Sequence, residues 1–180
     1  MGTKYIVFDR DGTLIKHVHY LHNPEEVELL PTVTDSISLL RENGHKLFLH
    51  TNQSGIGRGM FSMEDVEFCN KRMIDLLGFG TDIFESICIS PDLPGGDNSY
   101  RKPSDKFGRD IIEYYGIDKK NLVYVGDSMC DLETGNKLGC HSVGVNTGQA
   151  RFSKAELESK NVQACIFENL LEVANHIINL

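Results

Sequence analysis

The chain of 180 residues has no tryptophan, only five prolines and five cysteines, and fewer basic than acidic side chains, 18 Lys and Arg against 26 Asp and Glu. Each shortage excludes something. A net charge of −8 leaves no basic stripe to neutralise a phosphate backbone, so no nucleic-acid partner is expected. No apolar run approaches the roughly 20 residues of a membrane span. Met1-Gly2-Thr3-Lys4-Tyr5 leads straight into an apolar segment, so no signal peptide is expected. Gly2 lacks the Ser or Thr four residues on that a myristoylation signal carries. The cysteines (69, 88, 130, 140 and 165) are odd in number and form no Cys-x-x-Cys pair, which reads as free thiols in a reducing cytoplasm. Repeats, low-complexity tracts and linkers are also missing. With 40% hydrophobic residues, a single domain over 1–180 is expected. The acidity does not exclude a small phosphorylated ligand, because oriented amides and a metal ion can override the global field locally.

What is present is an alternation. Apolar runs at Tyr5–Phe8, Lys46–His50, Ile83–Ser90, Leu122–Val125 and Ser142–Val145 read as strands, with Ala164–Phe167 as a sixth, edge strand. Helical patterns lie between them. Thr32 with Asp35, Ser62 with Asp65, and Ser153 with Glu156 read as capping pairs. Ser104 is expected to cap a helix that stops near Gly116, Gly139 to end another over Cys130–Leu138, and Asn169 to cap the last. This order predicts an α/β fold with a parallel sheet covered on both faces. Phe61, Phe68, Phe79, Phe84 and Phe107 are core candidates. Residues 16–31 and 91–103 are too long for simple connections, and such loops are either functional or surface decoration.

Chemistry gathers at the strand ends, where open α/β sheets bind ligands. Asp9-Arg10-Asp11-Gly12-Thr13 follows the first strand and places two carboxylates there, though alone the pair fits a solvated turn equally. Thr51-Asn52-Gln53-Ser54-Gly55 follows the second; its hydroxyls and amides suit phosphate oxygens, or a plain polar loop. Gly55-Ile56-Gly57-Arg58-Gly59 is not a dinucleotide fingerprint, since its spacing is wrong and the next helix is expected near Ser62. Arg101-Lys102-Pro103 offers fixed cations of the kind that offset charge on a transferring phosphoryl group, or a solvated surface pair. Gly126-Asp127-Ser128-Met129-Cys130-Asp131 gives two acids suited to Mg²⁺, although Asp131 could simply be an acid favoured at a helix N-terminus.

Taken in order, these four segments resemble the haloacid dehalogenase (HAD) superfamily, and more narrowly its D,D-heptose 1,7-bisphosphate phosphatase and histidinol-phosphatase branch. The strings DRDGTL, TNQSGIGRG and RKP carry the closer match, and the resemblance spans about residues 4–175. It implies a capless, three-layer αβα, Rossmann-like fold. It also implies a Mg²⁺-dependent phosphatase in which Asp9 attacks phosphorus and forms an aspartyl-phosphate, while Asp11 acts as acid and then base. The metal would be held by Asp9, Asp11 (through its backbone carbonyl) and Asp127, with Asp131 in support. Thr51 and Lys102 would hold the phosphoryl group, and Arg101 the substrate beyond it. The substrate-contacting set implied is Arg10, His17, Val18, His19, Tyr20, Thr51, Asn52, Gln53, Ser54, Arg101 and Lys102.

One departure concerns zinc. The branch typically carries one His and three Cys ligands just before Arg-Lys-Pro. Here residues 88–100 hold one Cys and no His, with Ser90 and Leu93 where ligands would stand. No zinc is expected, and another device must order the loop. His17, His19 and His22 could form a metal site, surface histidines or a flap over the substrate. The expected function is hydrolysis of a small phosphorylated metabolite of the heptose bisphosphate type, by a cytoplasmic protein for which a monomer is favoured. Histidinol phosphate or a broad range of phosphomonoesters is the alternative within the class. A non-catalytic phospho-acceptor or metabolite-binding regulator is the alternative outside it.

Overall fold

The computed structural model describes residues 2–95, 99–149 and 151–180. Six parallel strands form one sheet: β1 (Tyr5–Phe8), β2 (Lys46–Asn52), β3 (Ser86–Ser90), β4 (Leu122–Gly126), β5 (His141–Val145) and β6 (Cys165–Phe167), in the order β3-β2-β1-β4-β5-β6. Every strand among the described residues belongs to this sheet. Successive side chains point to opposite faces of a strand, and the core divides accordingly. Ile6, Phe8, Leu47, Leu49, Val123 and Val125 pack on one face under α1 (Val33–Glu42), α3 (Met63–Leu77) and α7 (Leu170–Ile177). Val7, Phe48 and Tyr124 pack on the other, under α4 (Lys106–Tyr115) and α5 (Met129–Leu138). This is the three-layer arrangement the sequence leads one to expect. None of the helices is long and apolar enough to cross a membrane among the described residues.

Local chemistry explains most boundaries. Ser62 and Asp65 cap α3 reciprocally, and Asn169 accepts from Glu172 N–H at the start of α7. Ser153 does the same for α6 (Lys154–Ser159). Five expectations need correction. Thr32 stands at the N-cap of α1 but its side chain makes no cap bond: its backbone is left-handed, at φ 66°, where the chain turns from Leu30, whose N–H is held by the Leu14 carbonyl. Asp105 stands at the N-cap of α4 without a side-chain cap bond; Ser104, one residue earlier, accepts from Lys106 N–H through its hydroxyl at 3.4 Å while its own N–H is bound to the Arg101 carbonyl. The third strand covers only Ser86–Ser90, although Ile83 and Phe84 are buried in the core. A one-turn helix, α2 (Ser54–Gly57), also forms before the helix expected near Ser62. Phe68 is half exposed, because the buried stripe of α3 runs through Val66, Cys69, Asn70, Met73, Ile74 and Leu77 and leaves it outside.

Candidate active site

The strand order reverses between β1 and β4, which is where ligands bind in sheets of this kind. Asp9 follows β1 and Asp127 follows β4. Asp131, from the first turn of α5, is buried beside them. Carboxylate oxygens of the three lie within 4.8 Å of one another. Burial pushes the Asp9 carboxyl up to about 6; Lys102 opposes this, and Asp131 and Asp11 add to it. Burial, then Asp9 and Asp131, push Asp127 up to about 8. A concentration of negative charge away from water favours protons or a cation. The backbone is cut to fit. A Cβ on Gly148 would lie 1.8 Å from Asp127 Oδ2, and one on Gly12, itself at φ +81°, 2.2 Å away. Only glycine lets the backbone approach that closely at both positions.

Lys102 supplies the compensating charge. Its Nζ lies 2.6 Å from Asp9 Oδ1, 2.6 Å from Asp131 Oδ1 and 2.6 Å from the His50 carbonyl. The contacts to Asp9 and the His50 carbonyl are hydrogen bonds, and that to Asp131 is a close ion pair. Burial alone would lower its pKa, but Asp131 and then Asp9 reverse that and hold Lys102 firmly charged. Asp131 therefore stands inside the acidic cluster and not merely behind it. The capping box at Ser128 holds Oδ2, at 3.1 Å from Ser128 N and 2.5 Å from its hydroxyl, and leaves Oδ1 on the lysine.

Asp11 faces the same cavity, of about 330 Å³, lined also by Asp9, His17, Val18, His19, Tyr20, Leu21, Thr51, Asn52, Gln53, Ser54, Gly55, Lys102, Asp127, Ser128 and Cys130. Segment 17–21 thus forms one wall. It is braced by Tyr20, whose ring centroid is 6.3 Å from that of Phe61, and by His22 stacked on Phe61 at 5.7 Å. His17 and His19 join no metal-type cluster among the described residues.

Two expectations about substrate contact are corrected. Arg10 cannot reach a substrate: it is the largest fully buried side chain among the described residues, and its guanidinium is engaged by Asp11 and Asn70. Arg101 lines a neighbouring cleft with Lys106, Arg109 and Lys137, because its guanidinium donates to the Asp92 carbonyl at 3.3 Å. Gln53 lines the cavity but also bonds Asp11 and Thr51. Asn52 bonds both the N–H and the C=O of Lys102, at 2.9 and 3.0 Å, so it carries the lysine's backbone as a sheet partner would.

Asp92 organises the loop before Arg101. Its Oδ2 accepts from Ser90 at 3.2 Å and from Ser99 at 2.5 Å, and the Ser99 hydroxyl accepts from Arg101 N–H at 2.8 Å. A carboxylate with two hydroxyls thus joins the two ends of the segment expected to hold zinc in the branch. Residues 96–98 lie outside the described residues. His50 contributes from β2: its Nε2 donates to the Tyr100 carbonyl at 2.8 Å, and burial, with Lys102, depresses it to about 3, so it is neutral. Sequence reasoning passed over His50, Asn70, Ser128, Gly148 and Asp92. Asn70 left one readable signal, a polar residue within an apolar helical stripe.

A strand-end carboxylate beside a charged lysine, with a second carboxylate across the cavity, is equipped to transfer a phosphoryl group. The fold and this site define a phosphoric monoester hydrolase. A HAD-hydrolase-like family model matches residues 99–173. The D-glycero-D-manno-heptose-1,7-bisphosphate 7-phosphatase of Chlorobaculum tepidum is 30% identical over 168 residues, 86% of this chain and 84% of that protein. The D-glycero-beta-D-manno-heptose-1,7-bisphosphate 7-phosphatase of Pseudomonas aeruginosa is 31% identical over 150 residues, 83% of this chain and 84% of that one. A crystal structure of the D,D-heptose 1,7-bisphosphate phosphatase from B. bronchiseptica, complexed with magnesium and phosphate, superposes with a TM-score of 0.86 at 28% identity, covering 98% of this chain and 99% of that one. The chain belongs to the HAD-like hydrolases and, within them, to the family of these heptose-bisphosphate phosphatases.

Proposed function

We propose that this protein removes one phosphate from a D-glycero-D-manno-heptose 1,7-bisphosphate-type sugar, through a phosphoryl group carried on Asp9. Identity of 31% to a relative of that activity over 83% of the chain carries the substrate assignment. The juxtaposition of Asp9, Asp11 and Lys102 in one cavity supports the chemistry. Asp9 attacks phosphorus as the bond to the leaving oxygen breaks, and Asp11 protonates that oxygen. Asp11 then takes a proton from the water that releases phosphate and restores Asp9. Lys102 and Thr51 hold the phosphoryl oxygens, and Ser54 lies beside them. His17, Val18, His19 and Tyr20 wall the sugar end.

The donor set, three close carboxylates with a glycine cradle around Asp127, fits a hard oxygen-seeking cation. Mg²⁺ would be held by Asp9, Asp127 and the backbone carbonyl of Asp11, with Asp131 beside it, and when bound offsets negative charge on carboxylates and phosphoryl oxygens. The cofactor is Mg²⁺ without structural zinc, and the protein acts as a single-domain cytoplasmic monomer.

A panel of phosphorylated metabolites assayed with Mg²⁺, on protein whose metal content is measured, tests the assignment. The highest kcat/KM is expected on the heptose bisphosphate, from a preparation without stoichiometric zinc. Higher kcat/KM on histidinol phosphate would reassign the substrate.

The raised carboxyls make metal binding pH-dependent. Asp9 at about 6 and Asp127 at about 8 hold protons that a cation must displace. Mg²⁺ affinity should therefore climb between pH 6 and pH 8, with protons released. Titration calorimetry in buffers of different ionisation enthalpy measures both. The metal-free fold has the opposite trend. Its carboxyls keep protons that the unfolded chain loses near 3.8, so stability should fall as pH rises through 6 and then 8, and Mg²⁺ should restore it.

A further inference from the structure

Arg10 is buried to 0% exposure, and a guanidinium is costly to bury without full pairing. Each of its three nitrogens has a partner. Nε lies 3.0 Å from Asp11 Oδ2 and Nη2 lies 3.1 Å from Oδ1, a two-pronged grip on the carboxylate. The remaining arm, Nη1, donates at 2.9 Å to Oδ1 of Asn70, itself 4% exposed on the inner face of α3. Nothing in ordinary core packing asks for an arginine and an asparagine between Cys69 and Met73. An apolar pair of similar volume would cost the fold less.

We propose that Arg10, anchored to α3 through Asn70, is a positioning residue that fixes the Asp11 carboxylate for proton exchange with the leaving oxygen. The proposal rests on the reading of Asp11 as the acid and base of the reaction. The grip is asymmetric. Oδ2 also receives Gln53 Nε2 at 2.9 Å and lies 3.4 Å from the Thr51 hydroxyl. On Oδ1, Arg10 Nη2 is the one hydrogen-bond donor among the described residues. Oδ1 is thus the less engaged oxygen of a cavity-lining carboxylate, and in this proposal it is the atom that gives its proton to the leaving oxygen and later takes one from water. The fork keeps the carboxylate plane fixed in both halves of the cycle. Without the fork, Asp11 keeps only Gln53 and Thr51 on Oδ2 and its carboxylate can turn about χ2, and a group misplaced by about 1 Å loses on the order of 10²-fold.

Leaving-group dependence separates this role from a merely structural one. Value of kcat/KM covers the steps up to departure of the leaving group, and a good leaving group needs no proton. Arg10→Ala should lower kcat/KM on an alkyl phosphate such as the sugar phosphate by ~10²-fold or more. On 2,4-dinitrophenyl phosphate the loss should stay below about 10-fold, as the proton is not needed there. Arg10→Lys, which keeps the charge without the fork, should be impaired in the same pattern. Asn70→Leu should show it more weakly, and adding Asn70→Leu to Arg10→Ala should cost little more, since the two act as one unit. If Arg10→Ala does not fold, Asn70→Leu and Arg10→Lys decide by the same comparison. Asp11→Asn is the control. Discrimination between substrates by Asp11→Asn but not by the Arg10 and Asn70 variants overturns the clamp alone. No discrimination by Asp11→Asn overturns the acid role, and the clamp with it.

Discussion

Asp9→Asn is expected to abolish steady-state turnover while leaving the fold intact. The amide has no anionic oxygen with which to attack phosphorus, and no neighbouring carboxylate can take its place. Asp127 is wedged between Gly12 and Gly148, and Asp131 is tied to Ser128 and Lys102. The fold should tolerate the change because the native carboxylate is strained electrostatically: burial pushes its pKa up to about 6, so at neutral pH its charge is a liability. Lys102 would keep Asp131 and the His50 carbonyl as partners. Thermal melting in EDTA should therefore occur no lower than in the native protein, while phosphate release from the sugar phosphate falls to background. Substantial turnover by purified Asp9→Asn would remove Asp9 from the centre of the mechanism.

Lys102→Met should hurt every substrate, in contrast to changes along the wall formed by residues 17–21. The ammonium faces the phosphoryl group that all substrates share, and loss of such a preorganised charge costs ~10²–10³-fold in kcat. It should also destabilise the protein. Lys102 is 3% exposed, and its removal leaves Asp131 buried without its counter-charge. Breaking a buried pair in this way costs about 3–5 kcal/mol. Chemical denaturation, read with kcat on a sugar phosphate and on an aryl phosphate, checks both effects. Unchanged stability, or a loss confined to one substrate, would mean that the lysine is neither the structural nor the phosphoryl cation.

The fold was largely legible in the sequence because its signals are local. The continuous apolar runs of β1 and β4, buried on both faces, and the helix caps at Ser62 and Ser153 depend on residues close in the chain. Thr32 departs from its local signal because a tertiary bond from Leu30 to Leu14 sets the backbone there. The acids of the site were legible too, since each stands at the end of an apolar run. Orientation was not. Nothing near Arg10 in sequence tells that it turns into the core, because its partner Asn70 lies 60 residues on. Nothing near Arg101 tells that Asp92 draws it away from the cavity. His50 reads as one more polar strand-end residue until the fold places Tyr100 and Tyr124 against it. Contacts between distant segments carried what sequence spacing could not.

The covalent role of Asp9 is tested most directly by the stereochemical course at phosphorus, using a substrate whose transferred phosphate is made chiral with oxygen isotopes. Transfer to Asp9 and then to water inverts the phosphorus twice, so the released phosphate should show net retention of configuration. Net inversion would mean a single direct attack by water and would contradict the account.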